Sequence, residues 1–198
     1  MTTDLPPPVA FGLPDKFSAW RPNQAEAITR TIDNDTRFAA HVCPTGFGKS
    51  LAYVSVALLT GVRTLILTST KGLQTQLLSD FGESLGVVDI RGRNSYPCLA
   101  AEDGSNTRCD VGPCLIGYPC PLREGGCLYF DQARLAAKAQ YVSTNYAYWM
   151  SSNKYGKGLG DFDLLVCDEA HNAPEIVSSF MTVVLDGGHT YTAGIMPK

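Results

Sequence analysis

Apolar residues along this chain fall into two kinds of run, some recurring every three or four positions and others continuous over four or five. Ala25, Ile28 and Ile32 recur at helical spacing behind Arg21-Pro22-Asn23-Gln24. They predict a helix with Pro22 in its first turn and Asn34-Asp35 at its end. Phe38 to Val42 is a short apolar run that reads as a first strand. Leu51 to Leu59 predicts a helix ended by Gly61. Thr64 to Thr68 is continuously apolar and predicts a parallel strand buried on both faces. Leu73, Leu77 and Phe81 mark a helix closed at Gly82, and Val87 to Ile90 a short strand. Further on, the pattern predicts a helix over 131–139, a strand over 141–144, a helix starting at Asn145 and a buried strand over 163–167. Strands alternating with helices predict an α/β fold, a parallel sheet with helices on both faces.

Two stretches fall outside this rhythm. Residues 1–16 are polar and proline-rich and read as a loose N-terminal arm, leaving 17–198 as one domain. Residues 91–130 are rich in Gly, Pro and Cys without periodicity, and a long irregular insert needs a cause of its own. The 198 residues are 44% hydrophobic, enough for one sizeable core, and carry a net charge of −3. That charge excludes a protein coated in basic residues, so nucleic-acid contact would have to come from a local groove. No apolar run is long enough to span a membrane, and the N-terminus lacks a signal-peptide pattern. The expected location is cytoplasmic. There, seven cysteines point to metal rather than disulfides.

Chemistry concentrates at two places. Cys43-Pro44-Thr45-Gly46-Phe47-Gly48-Lys49-Ser50 lies between the first apolar run and a helix, the layout of a nucleotide phosphate loop. Gly46 and Gly48 let the backbone approach a polyphosphate, and Thr45 lies among the loop amides that would cradle it. Lys49 would reach the β- and γ-phosphates, and the Ser50 hydroxyl would ligate Mg²⁺. Cys43 stands where the pattern usually has its first Gly. The second place is Asp168-Glu169-Ala170-His171, at the C-terminal end of the last strand, where ligands gather in parallel sheets. Asp168 is suited to Mg²⁺ and Glu169 to orienting the attacking water. His171 is expected to link the γ-phosphate site to movement elsewhere. His41 and His189 are read as structural.

These motifs resemble superfamily 2 helicases of the DEAH-box type, and more narrowly the XPD/DinG group, whose first motor domain carries an iron–sulfur cluster. The similarity extends over roughly residues 20–180. It implies a RecA-like P-loop NTPase fold, ATP with Mg²⁺, and single-stranded DNA as partner, travelled 5′ to 3′. Arg21-Pro22-Asn23-Gln24 is similar to the group's adenine-contacting motif, which implies that Arg21 and Gln24 touch the base. Thr68 to Lys71 and Gln74 sit where the family touches the DNA backbone. The resemblance also implies a second motor domain supplying an arginine finger. No stretch up to Lys198 resembles one, so the chain is expected to be the first motor domain alone, a piece or half of a two-part enzyme.

Cys98, Cys109, Cys114, Cys120 and Cys127 lie within the insert, separated by ten, four, five and six residues. Four thiolates suit a 4Fe–4S cluster or a tetrahedral zinc, and spacing alone does not separate the two. The resemblance favours iron, with Cys98 as first ligand and Cys127 as last. Cys114 and Cys120 are the chosen middle pair, and Cys109, in a more polar stretch, is the alternative. Cys43 and Cys167 are read as packing residues. The expected function is an ATP-dependent DNA helicase. The competing expectation is a metal-stabilised DNA-binding or adaptor module that binds ATP without turnover. Most aromatic residues after the insert are expected in the core, and Arg91, Arg93, Arg108 and Arg123 are equally suited to phosphate contact or to solvent.

Overall fold

A computed structural model of the chain describes residues 5–101 and 107–182. Four parallel strands, β1 (Thr64–Thr68), β2 (Val88–Asp89), β3 (Tyr141–Asn145) and β4 (Leu164–Cys167), form one sheet in the order β2-β3-β1-β4. The six helices of the described residues are α1 (Gln24–Ile32), α2 (Lys49–Thr60), α3 (Lys71–Leu85), α4 (Leu128–Lys138), α5 (Tyr146–Tyr155) and α6 (Ala173–Met181).

β1 is buried along its whole length, as its unbroken apolar run predicts. Its side chains alternate between two cores. Ile66 packs with Leu51, Val54 and Ala57 of α2 and Leu77 and Phe81 of α3. Leu65 and Leu67 pack on the other face with Ala136 of α4 and Tyr146 and Tyr148 of α5. The α/β expectation with helices on both faces is met, and the sheet is the parallel one of a RecA-like domain. No helix among the described residues is long and apolar enough to cross a membrane.

The structure departs from the sequence reading in particular places. Residues 38–42 pair with no strand, and Phe38 and Val42 are 80% and 104% exposed. A strand exists through its neighbour's hydrogen bonds, and an apolar run without that neighbour stays irregular. β4, expected to be buried, is an edge strand with Leu165 and Cys167 turned outward. α3 runs through Gly82, because a mid-helix glycine costs only about 0.5–1 kcal/mol. It ends instead at Gly86, whose φ of 66° is the left-handed conformation that closes helices. Residues 5–16, read as a loose arm, put Leu13 into the core and are tied by a Trp20 Nε1–H donated to the Pro6 carbonyl at 2.8 Å.

The insert has little regular structure. Before α4, its described residues hold two short 3₁₀ turns, Arg93–Ser95 and Pro113–Ile116, and an antiparallel bridge between Pro97 and Arg108.

Candidate active site

The strands are parallel, so their C-terminal ends share one edge of the sheet. β4 delivers Asp168 and Glu169 to that edge, the loop before α2 delivers Gly46 and Gly48, and the first turn of α2 delivers Lys49 and Ser50. Gly46 and Gly48 have φ of 84° and 82°, the conformations for which the loop needs glycine. A Cβ on Gly48 would stand 2.4 Å from the Gln24 amide nitrogen, so a larger residue would push Gln24 off the loop as well as strain the backbone.

The loop is braced from α1. Gln24 is completely buried, and its Nε2 donates to the carbonyls of Phe47 at 2.7 Å and Gly48 at 3.1 Å. Its Oε1 accepts from the Arg21 backbone N–H at 2.7 Å. The Arg21 guanidinium donates to the Gly46 carbonyl. Arg21 and Gln24, which the motif implies touch the base, here reach the backbone of the phosphate loop. Both ends of the Gln24 amide, however, are committed to backbone.

Lys49 Nζ lies 2.5 Å from Glu169 Oε1. The hydrogen bond with Glu169 and the charges of Glu169 and Asp168 hold the Lys49 ammonium above its ordinary pKa. The same bond holds the Glu169 carboxyl below its own. His171 Nδ1 approaches the other Glu169 oxygen at 3.4 Å. Glu169 itself adopts a left-handed backbone with φ of 50°, uncommon for a residue with a side chain.

Asp168 behaves in the opposite sense. It is only 7% exposed, and burial and then the neighbouring Glu169 charge push its carboxyl upward. Its Oδ1 accepts from the Glu169 N–H at 3.0 Å, and its Oδ2 from the Tyr53 hydroxyl at 3.3 Å. Burial and then the Asp168 charge push the Tyr53 hydroxyl well above its ordinary pKa, so it stays a donor to Asp168. A buried carboxylate beside a second carboxylate offers the oxygen donors that suit a hard cation.

Tyr53 and Tyr146, which donates to the Asp168 carbonyl at 3.2 Å, escaped the sequence reading. Tyr53 carried a signal, lying three residues after Ser50 and thus on the same face of α2. Tyr146 carried none, since its contact exists only through the pairing of distant strands.

The residues expected to touch the DNA backbone lie after β1, at the start of α3. Thr70 caps α3 by accepting from the Leu73 N–H at 3.3 Å. Gln74 is buried, donates to the Ile90 carbonyl at 3.2 Å and accepts from the Asn145 amide at 3.3 Å. Arg91 pairs with Asp89 at 2.7 Å, while Arg93 and Arg123 lie over the Phe130 ring at 5.4 and 5.2 Å. His41 is bonded to the Thr31 hydroxyl at 2.9 Å, and His189 lies outside the described residues.

In the insert, Cys109 is 3% exposed and its thiol donates to the Pro97 carbonyl at 3.3 Å. Burial, then the thiols of Cys127, Cys98 and Cys114, push its pKa up to about 12. Cys109, kept as the alternative ligand because of its polar sequence surroundings, is thus buried with other thiols of the insert nearby. The bridge Pro97–Arg108 folds Cys109 inward, which local polarity does not register. No group of three or more Cys, His, Asp or Glu among the described residues is arranged to hold a metal ion.

A protein named ATP-dependent DNA helicase YoaA, of Haemophilus influenzae, is 22% identical to this chain over 215 residues. The match covers 79% of this chain and 33% of the relative, so the chain spans about a third of the relative's length. No solved structure matches significantly. The family model for the type III restriction enzyme res subunit (ResIII) matches residues 17–186, and the chain belongs to that family.

Proposed function

We propose that this chain is a helicase-type motor domain that binds ATP at the loop 43–50 and hydrolyses it to move on single-stranded DNA. One observation carries the reading. The loop lysine and the strand-end glutamate, 120 residues apart in sequence, meet at 2.5 Å beside a buried aspartate. The relative's name, an ATP-dependent DNA helicase, supports the same reading. The 5′-to-3′ direction and the second motor domain rest on the XPD/DinG resemblance.

In the proposed reaction the backbone N–H groups of 45–50 and the Lys49 ammonium bind the β- and γ-phosphates. Ser50 and Asp168 would hold Mg²⁺, which offsets phosphate charge when bound. Glu169, released from Lys49 by the incoming phosphate, accepts a proton from a water aligned on the γ-phosphorus. The bond from that phosphorus to the bridging oxygen breaks, leaving ADP and inorganic phosphate. His171 is placed to report the state of Glu169. The insert is proposed to carry a 4Fe–4S cluster, or zinc, on the resemblance and its cysteine content alone. The described thiols form no metal-holding arrangement, and no step is routed through them.

Steady-state ATP turnover, with and without single-stranded DNA, tests the proposal. We expect slow turnover that DNA stimulates and that disappears in Glu169→Gln. ATP binding without any Glu169-dependent turnover would instead make the chain an adaptor that uses ATP as a switch.

A further inference from the structure

The peptide between Asp168 and Glu169 is held at both of its polar ends. Its N–H donates to Asp168 Oδ1 at 3.0 Å, and its carbonyl accepts from the Tyr146 hydroxyl at 3.2 Å. Beyond this peptide Glu169 takes φ of 50° and ψ of 45°, a left-handed conformation that costs free energy in any residue with a Cβ. That cost and the net worth of one hydrogen bond are of the same order. A single bond to the peptide is therefore enough to decide whether the conformation persists.

Tyr146 is brought to this peptide by distant parts of the chain. It is the first residue of α5, directly after β3, and Asp168 directly follows β4. β3 and β4 flank β1 on opposite sides, so the hydroxyl reaches across the end of β1. The side chain is buried and packs with Leu65 and Leu67 of β1. Asn145, just before it, accepts from the Tyr148 N–H at 2.8 Å and donates to the Gln74 amide oxygen at 3.3 Å, which fixes the first turn of α5. Burial raises the Tyr146 hydroxyl above its ordinary pKa, so it stays a donor.

We infer that Tyr146 is a positioning residue for Glu169, its hydroxyl holding the strained turn that keeps the Glu169 carboxylate against Lys49. The inference rests on the nucleotide site proposed above. Without the hydroxyl the peptide can turn and Glu169 can relax to negative φ, and its carboxylate is no longer fixed at Lys49. Lys49 is then freer to bind phosphate, while the group proposed to activate water is misplaced. A buried tyrosine hydroxyl that merely finds an acceptor for its own proton predicts the opposite, since its loss would loosen the site and weaken binding.

The experiment is a double-mutant cycle in Mg²⁺-ATP affinity on the full 198-residue chain, comparing wild type, Tyr146→Phe, Glu169→Gln and the double variant, with melting temperatures alongside. Phenylalanine fills the same space and removes only the hydroxyl. Tyr146→Phe should bind ATP about two- to fivefold more tightly than wild type, the effect of releasing a partly exposed ion pair. In the Glu169→Gln background the same change should leave the affinity unaltered. A Tyr146→Phe chain that binds ATP equally or more weakly, or that no longer folds, overturns the inference alone, as does a gain that persists in the Glu169→Gln background. A wild-type chain that binds no ATP overturns the nucleotide site and the inference with it.

Discussion

Lys49 and Glu169 neutralise one another across the mouth of the phosphate loop, with 2.5 Å between ammonium and carboxylate. The group proposed to bind phosphate and the group proposed to activate water thus occupy each other. On that proposal ATP would part them, and its affinity would include the cost of doing so. Glu169→Gln removes the charge that competes with phosphate for Lys49. Mg²⁺-ATP should therefore bind Glu169→Gln more tightly than wild type, while hydrolysis is lost. Equal or weaker binding by the variant in a direct titration would show that the pair does not restrain the site.

Asp168 and Glu169 are adjacent carboxyls shifted in opposite directions, and stability should register the difference. Glu169 is held below 4.5 and Lys49 above 10.5. The pair therefore contributes across neutral pH. Its contribution fades as pH falls through the lowered Glu169 value, or rises through the raised Lys49 value. Both side chains are partly exposed, so the contribution is modest.

Asp168 has the reverse sign. Its ionised form is disfavoured in the fold, so its charge costs stability above its raised value, and that cost vanishes below about 3.8. Asp168→Asn should raise the melting temperature at pH 7, with a gain that shrinks as pH falls into the carboxylate range. The same variant should lose Mg²⁺-dependent ATP turnover. A lower melting temperature at pH 7 would show that the Asp168 charge is already compensated.

Gln24 is a tie rather than a surface contact. Gln24→Ala leaves the Phe47 and Gly48 carbonyls and the Arg21 N–H without their partner, and an unsatisfied buried group costs about 1–3 kcal/mol. The expected fall in melting temperature is about 2–4 °C per kcal/mol for a domain of this size. ATP affinity should drop with it, because the loop loses its brace. Wild-type stability in Gln24→Ala would remove Gln24 from this role.

The insert has its own test. Protein prepared anaerobically should contain metal, iron rather than zinc on the XPD/DinG resemblance, and Cys98→Ser and Cys127→Ser should each lose it. Because burial raises the Cys109 thiol, metal uptake should also strengthen with pH. Metal-free protein with all seven thiols open to alkylation would contradict the metal assignment.

Much of this architecture was legible in the residues. The continuous run 64–68 announced a strand covered on both faces, and β1 is one. Glycines at 46 and 48 and the acidic pair after 167 marked the site's two halves. What stayed hidden depends on partners distant in sequence. Residues 38–42 look like a strand but find no neighbour to pair with, and 164–167 look buried but lie at the sheet edge. Gln24 was legible as a site residue, while its commitment to the loop carbonyls was not, since neither spacing nor polarity reports where an amide finds its partners. The burial of Cys109 was hidden for the same reason: a polar neighbourhood in sequence is not an exposed one in space.

Everything proposed for the site depends on nucleotide binding at the loop 43–50. The most direct measurement is a calorimetric titration of Mg²⁺-ATP into the chain and into Lys49→Ala. The account predicts saturable one-to-one binding by the wild type and at least about tenfold weaker binding by Lys49→Ala, since losing a charge-assisted phosphate contact costs roughly 1.5–3 kcal/mol. Binding of equal strength in both proteins would place ATP elsewhere and contradict the account.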